Sequence, residues 1–410
     1  MLHLFHGISY FVYSLSFTII TILYFSLNSF FAIKSKKKIE KHSMYTLSDL
    51  TAVIPVYKEN ANLFERVIRA LYDIGIEFVV VGDSSLEPYK SITERYGGKF
   101  IHLKEHKGKR YALAEGIKYV NSPLVMFLDS DTIVTKDALQ KMIKRFTEDV
   151  GGVGPNIRIM SEGNKYAYYY SEFFERLSEI VNRAVSYFGS AIILSGQCAV
   201  YRTDLVKPYV TSSQFLEPKL LGKRIVISDD RDLTNYVIKS GYKAVRVFDA
   251  IVYTKCPSDI KVFTKQVIRW TRANYLNFIR EIADGSIGKR GTLYVFDAIY
   301  TNLLPLFTIL FVYMDFSKIM KLFSSTKIIS SKIFLLLDIQ ARFHSQSYLL
   351  YLFIHYGSIV SIIPFVLTII YLIPEDKMRT LIFGSIALAV QYVASLYAII
   401  TFWWQDWLTR

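Results

Sequence analysis

From Ile8 to Ile33 the chain carries no charged residue, and Lys34, Lys36, Lys37 and Lys38 follow almost at once. A run of that length spans the hydrocarbon of a bilayer, where a lone segment satisfies its backbone only as a helix. It is too long for the apolar region of a cleaved signal, and no basic segment precedes it, so a retained anchor is expected. The lysines behind it place the N-terminus outside and the following domain in the cytoplasm. Three more candidate spans lie near the other end, about Leu293 to Met314, Tyr348 to Ile373 and Leu381 to Trp404, with Pro305 and Pro364 inside two of them. Three full crossings would put Lys318, Lys321, Lys327, Lys332 and Arg342 outside, against the positive-inside tendency. Either the first of these spans is re-entrant or IISSKIFLLL lies on the inner surface, and both paths stay open.

The formal charge of +14 over 410 residues fits a surface facing anionic lipid. Nucleic acid is not an expected partner, because the chain has no zinc spacing and no compact basic helix to read a groove. Cys198 and Cys256 are the only cysteines, which excludes a disulfide framework and a four-cysteine metal site.

Between the membrane segments the pattern changes. TAVIPV (51–56), EFVVVG (77–82) and Lys99 to Leu103 read as strands, and LVMFL (124–128) is a fourth. Helical spacing runs from about Asn60 to Tyr72, Lys109 to Val120 and Lys136 to Phe146, and GGVGPNIRI adds a further strand. This alternation predicts an α/β domain built on a parallel sheet covered on both faces. Tyr166 to Phe188 keeps an apolar helical stripe with Glu172, Glu175, Arg176, Glu179 and Arg183 off it, as a helix packed on its own domain or lying on the bilayer would. A second amphipathic stretch covers Ile260 to Ile282.

The strand LVMFL ends abruptly in Asp129, Ser130 and Asp131. Such a strand end is where parallel sheets open onto ligands, and paired carboxylates there suit Mg²⁺ or Mn²⁺ completed by substrate phosphates. Taken alone, a solvated turn ahead of a helix is the commoner explanation of them. Other strand ends add Tyr57 and Glu59, able to stack on and hydrogen-bond a base, and Asp83. Lys109 and Arg110 open a helix where a diphosphate could rest. Further on, SDDRDLTN carries Asp229 and Asp230 just ahead of a helix, and QVIRW puts Gln266, Arg269 and Trp270 on one helical turn. A carboxylate can take a hydroxyl proton, a guanidinium can pair with phosphate and an indole can stack on a sugar ring. His102 and His106 have the spacing of a helical metal pair, but His102 falls at a strand end, so a metal role is not expected.

The order PVYKE, GDSS, KGKRYAL, LDSD, SGQCAVYR, SDDRDLTN and QVIRW, over about residues 50 to 282, resembles the processive membrane glycosyltransferases of family 2, the hyaluronan, chitin and cellulose synthases. The resemblance implies a GT-A (Rossmann-like) fold with α-helical transmembrane segments, a UDP-sugar donor, a saccharide acceptor, a divalent metal and inversion at the anomeric carbon. By it, Tyr57, Glu59 and Asp83 would hold the uridine, Lys109 would meet the phosphates, and Asp129 and Asp131 would bind the metal with Asp131 as principal ligand. Ser195, Gly196, Tyr201 and Arg202 would line the acceptor site. Asp230 would be the general base, with Asp229 the second choice, while Gln266 and Arg269 close over the diphosphate and Trp270 stacks at the acceptor entrance. The implied organisation is an anchor over 1–33, a cytoplasmic GT-A domain over 34–257, an interfacial helix over 258–292 and a membrane region over 293–410. The chain departs from the family at Gly82, where a second aspartate usually precedes Asp83. A polyprenyl-phosphate sugar transferase and an inactive sugar-binding membrane protein are the alternatives.

Overall fold

The apolar run Leu50–Val56 (β1) is buried along nearly its whole length and becomes an inner strand of the main sheet. The computed structural model describes residues 2–35, 43–162, 164–188, 191–220, 222–225, 227–324 and 360–404. After β1 come β2 (Glu77–Asp83), β3 (Lys99–Leu103), β4 (Leu124–Leu128), β5 (Thr132–Ile133), β6 (Val150–Ile159), β7 (Cys198–Arg202), a small hairpin of β8 (Lys219–Leu220) and β9 (Lys223–Arg224), and β10 (Lys243–Thr254). The main sheet has eight strands in the order β3-β2-β1-β4-β7-β6-β10-β5.

Side-chain alternation along the strands covers both faces. Ala52, Ile54 and Val56 of β1, with Leu124, Met126 and Leu128 of β4, pack under Phe64, Ile68 and Leu71 of the helix Ala61–Ile74. Val53, Val125 and Phe127 turn to the other face, against Leu113 and Ile117 of the helix Lys109–Ile117 and Leu233 and Val237 of the helix Asp229–Lys239. Each such aliphatic side chain contributes about 1.5–3 kcal/mol on burial. Local signals set the helix ends: Asn60 accepts from the Leu63 amide, and Gly75 closes the helix in the left-handed region at φ 84°.

The expected parallel direction holds for β3, β2, β1 and β4 and again for the pair β6 and β10. β7 runs antiparallel to β4 and β6, and β5 antiparallel to β10, so the sheet is mixed. The reason lies in the connection to β7. The Asp129 amide donates to the Gln197 carbonyl at 3.0 Å, so the chain enters β7 beside the finishing end of β4 and can only run back along it.

Helices Leu2–Lys34, Thr292–Ser324 and Lys377–Thr401 contain stretches long and apolar enough to cross a membrane, over Leu15–Lys34, Thr292–Leu310 and Lys377–Thr401, and Val360–Leu372 is a shorter apolar helix. Pro305 sits inside an unbroken helix. The IISSKIFLLL stretch, Lys327, Lys332, Arg342 and residues 348–359 of the second expected C-terminal span lie outside the described residues. The helix Lys165–Ser186 packs within the protein, with its apolar and charged faces turned to different neighbours. Ala167, Tyr170, Phe173 and Ile180 pack with Ala32, Phe365, Ile369 and Ala387 of the membrane helices. Its charged residues turn to the sheet, where the buried Glu172 carboxylate pairs with Arg158 at 2.8 Å and Arg176 at 2.9 Å.

Candidate active site

Strands β1, β2 and β4 are parallel, so their C-terminal ends share one edge, and that edge collects the predicted donor-side residues. Asp129 and Asp131 follow β4. The Lys109 ammonium, first residue of its helix, lies 2.7 Å from Asp129 and 3.6 Å from Asp229, and donates to the Gly196 carbonyl at 3.2 Å. One cation therefore joins three segments that lie far apart in sequence. Burial works against its charge, but Asp129, Asp229 and Asp230 together raise its pKa above the ordinary lysine value.

The two adjacent aspartates are not equivalent. Burial opposes ionisation of both, but Lys109, Arg110 and Arg269 hold Asp229 below the usual carboxylate range. Asp230 is pushed up to about 6 by burial and by the charge of Asp229. Its oxygens accept from the Gly196 amide at 3.3 Å and the Arg231 amide at 2.8 Å. Ser228 just before them is left-handed, at φ 82°, in a conformation costly for a side-chain-bearing residue, and the Asn277 amide donates to its hydroxyl at 2.5 Å. A Cβ on Gly196 would stand 3.0 Å from the Lys109 nitrogen and 3.4 Å from Asp230, so a side chain there would crowd the Lys109 ammonium.

Asp129 and Asp131 offer hard oxygen ligands of the kind Mg²⁺ and Mn²⁺ prefer. Among the described residues no third His, Cys, Asp or Glu groups with them into a closed metal site, which leaves coordination positions for a ligand's own oxygens. The residues present fit such an ion.

Comparison with known proteins follows this geometry. Residues 51–210 match the model of the family described as Glycosyl transferase family 2. Over that stretch the chain is similar to family 2 glycosyl transferases. An N-acetylglucosaminyltransferase of Azorhizobium caulinodans is 26% identical over 241 residues, covering 54% of this chain and 59% of that protein. A hyaluronan synthase of Streptococcus pyogenes is 26% identical over 253 residues, 57% of each. The chain thus spans about half the length of the curated relatives it matches. A mannosyltransferase of Pyrobaculum calidifontis, solved with GDP-Man and Mn²⁺, superposes with a TM-score of 0.54 at 16% identity, over 86% of this chain and 97% of that one. The superposition supports a GT-A-like fold.

Around this site several predicted residues have protein partners of their own. Asp83 is buried, accepts from the amides of Lys107 at 2.8 Å and Gly108 at 2.9 Å, and pairs with His106 at 2.8 Å. It therefore shapes the loop that launches Lys109. Tyr57 stacks on His106 with ring centroids 4.2 Å apart, and Glu59 pairs with Lys255 at 3.0 Å. Gly82 explains the departure from the family pattern, since a Cβ there would fall 2.0 Å from the Ser85 carbonyl oxygen.

Gln266, Arg269 and Trp270 lie on the helix Ile260–Ala283, where Arg269 is near enough to Asp229 to lower its pKa and Trp270 stacks on Phe174 at 5.5 Å. Ser195 turns its hydroxyl to Gln197.

Two expectations, for Arg110 and Arg202, are corrected. Arg110 does not face a diphosphate: it is buried, donating to the Phe215 carbonyl at 2.9 Å and Asp232 at 2.7 Å. Tyr201 is 1% exposed and packs against Phe127, yet its phenol stays beside the site, where burial and the nearby charges of Asp230 and Asp229 raise its pKa. Arg202 pairs in register with Leu124, at the opposite end of β4 from Asp129, and its guanidinium holds the carbonyls of Val150 and Thr147 and the Tyr45 hydroxyl. Because β7 runs away from the edge, Arg202 at its end lies far from Asp129, while Gly196 and the Tyr201 phenol stay near Asp230. His106 and Lys255 were missed; nothing local in their sequence distinguishes them, since their partners come from other strands.

Proposed function

We propose that the protein is a membrane-bound inverting glycosyltransferase that moves a sugar from a UDP-sugar donor to a growing saccharide, in the manner of a hyaluronan synthase. The observation that carries this reading is the meeting of Asp129 with Asp229 and Asp230 about Lys109, at 2.7 Å and 3.6 Å from the first two. Donor-side and acceptor-side carboxylates converge on one point, as in-line displacement requires.

In this reading Asp230 takes the proton of the acceptor hydroxyl as its oxygen bonds to the anomeric carbon and the bond to the diphosphate oxygen breaks. A pKa of about 6 suits a base working near neutrality, whereas Asp229 is committed to Lys109. Lys109 and Arg269 face the leaving diphosphate, with Gln266 on the same turn, and Tyr57 with His106 stacks beneath the base. Asp131 and Asp129 would hold Mg²⁺ or Mn²⁺, which when bound neutralises diphosphate charge. Gly196 and Ser195 border the acceptor, and Trp270 stands on the membrane side of it. The catalytic domain faces the cytoplasm, the anchor of residues 1–33 and the helices after 293 hold it at the bilayer, and the interfacial segment 258–292 joins them.

Purified protein in detergent, given labelled UDP-sugars with Mg²⁺ or Mn²⁺ and product sizing by specific glycosidases, tests this. A polymer is expected, and Asp131→Asn should lose orders of magnitude in rate. A lipid-extractable product bearing one sugar would establish the polyprenyl-phosphate alternative, and no turnover across a full donor panel would favour an inactive sugar-binding protein.

A further inference from the structure

Glu281 lies near the end of the QVIRW helix, three turns beyond Trp270, and is fully buried. Its Oε1 meets Arg231 Nε at 3.0 Å, Asn235 Nδ2 at 3.0 Å and Arg290 at 3.7 Å, and the Tyr294 hydroxyl donates to its Oε2. Arg231 and Asn235 belong to the helix that begins at Asp229. Arg290 also donates to the carbonyl of Ile192 at 2.8 Å and that of Ala191 at 3.2 Å, on the segment leading to Ser195 and Gly196. Tyr294 stands in the first turn of the membrane helix Thr292–Ser324. One carboxylate thus ties together the helix of the proposed base, the QVIRW helix, the glycine loop and the entry to the membrane.

We infer that Glu281 is a positioning residue for transfer, which fixes the start of the Asp229–Lys239 helix against the QVIRW helix and the membrane-entry segment. This rests on Asp230 being the base. Burial disfavours a charged Glu281, yet the guanidinium groups of Arg231 and Arg290 hold its pKa down at about 2, so it is an anion throughout the working range. Arg231 is chain neighbour to Asp230, so a shift of its side chain moves the base directly. Misplacing a reacting group by an ångström costs on the order of a hundredfold in rate. Among the described residues its hydrogen-bond and ion-pair partners, Arg231, Asn235, Arg290 and Tyr294, all lie off the donor edge, and donor binding should be indifferent to it.

The test compares Glu281→Gln and Tyr294→Phe with wild type in kcat, donor KM and the number of UDP-binding sites per protein. Glu281→Gln should lower kcat at least ~10-fold with donor KM within about twofold and full UDP binding, as expected for loss of geometry alone. Tyr294→Phe leaves every charge paired and should lower kcat several-fold, so it decides the matter if Glu281→Gln does not fold. Unchanged kcat in both variants overturns the inference, as does a fall in kcat matched by an equal loss of UDP sites. Asp230→Asn measured alongside separates the two readings. If it is inactive while both other variants are normal, only the role of Glu281 fails; if it is fully active, the assignment of the base fails.

Discussion

The donor edge and the acceptor rim of this site are built in opposite ways. On the donor edge each functional side chain ends a strand or opens the next helix: Tyr57 after β1, Asp83 at the end of β2 and Asp129 after β4. Parallel pairing then brings them to one edge, where Asp83, His106 and Lys109 add local contacts. On the acceptor rim the residues sit on helices and loops whose placement depends on buried charge. Arg231 reaches Glu281, Arg110 reaches Asp232, and Arg290 reaches the 191–192 carbonyls. A sheet edge is rigid by backbone bonding, whereas the rim owes its geometry to a few ion pairs whose loss leaves an uncompensated charge. The rim should therefore be the more sensitive half to single substitutions away from the reacting atoms.

The largest effect expected is at the rim itself. Asp230→Asn keeps the shape and the amide contacts but cannot take a proton, and kcat should fall by about 10²–10⁴ with donor KM nearly unchanged. A steady-state comparison at saturating acceptor checks it; equal loss in Asp229→Asn alone would assign the base to the neighbour. The same group sets the pH dependence. As the proposed base, Asp230 would act only when ionised, and burial with the charge of Asp229 pushes its pKa up to about 6, so kcat/KM should drop close to tenfold per pH unit well below 6 and level off above 7. A flat profile from pH 5 to 8 would remove Asp230 from the chemistry.

On the donor edge the corresponding break is at Gly82. Writing the aspartate usual in the family at this position places a Cβ 2.0 Å from the Ser85 carbonyl and 2.7 Å from the Phe100 ring. Gly82→Asp should cost about 1–3 kcal/mol of stability from overpacking and weaken UDP binding, read as a lower unfolding midpoint and a higher donor KM. Unchanged stability would mean that the turn after β2 relaxes freely and that the edge is less rigid than its strand pairing implies.

The two halves also differ in how far the sequence could be read. β1 to β4 and the helices Ala61–Ile74, Lys109–Ile117 and Lys136–Ile143 stand within a few residues of where periodicity places them, because each buries a stripe set by its own local pattern, whereas the short helix Tyr89–Arg95 is not among the expected ones. Asp129, Asp83 and Lys109 were visible for the same reason. The reversal at β7 was not, since antiparallel pairing depends on where the chain re-enters and not on the composition of CAVYR. Arg110 looked like a phosphate ligand because cations at a helix start often are; its partners Asp232 and Phe215 come from more than a hundred residues away. Glu281 carried no signal at all, being one more acidic residue near the end of an amphipathic helix.

The smallest effect expected sits where the reading of SGQCAVYR was corrected, and it sharpens the boundary of the rim. Arg202 donates to the Val150 carbonyl at 2.8 Å, the Thr147 carbonyl at 2.7 Å and the Tyr45 hydroxyl at 3.0 Å, all at the end of the sheet away from Asp129. Arg202→Gln cannot span all three, so it should lower stability by about 1–3 kcal/mol through unsatisfied carbonyls. Transfer by the folded fraction should stay within about twofold of wild type in both kcat and acceptor KM, because the substitution reaches no reacting group. Thermal unfolding in detergent with parallel kinetics measures both quantities on one preparation. A tenfold rise in acceptor KM with unchanged stability would extend the acceptor path along β7 to the far end of the sheet, and the rim would then owe as much to strand pairing as the donor edge does.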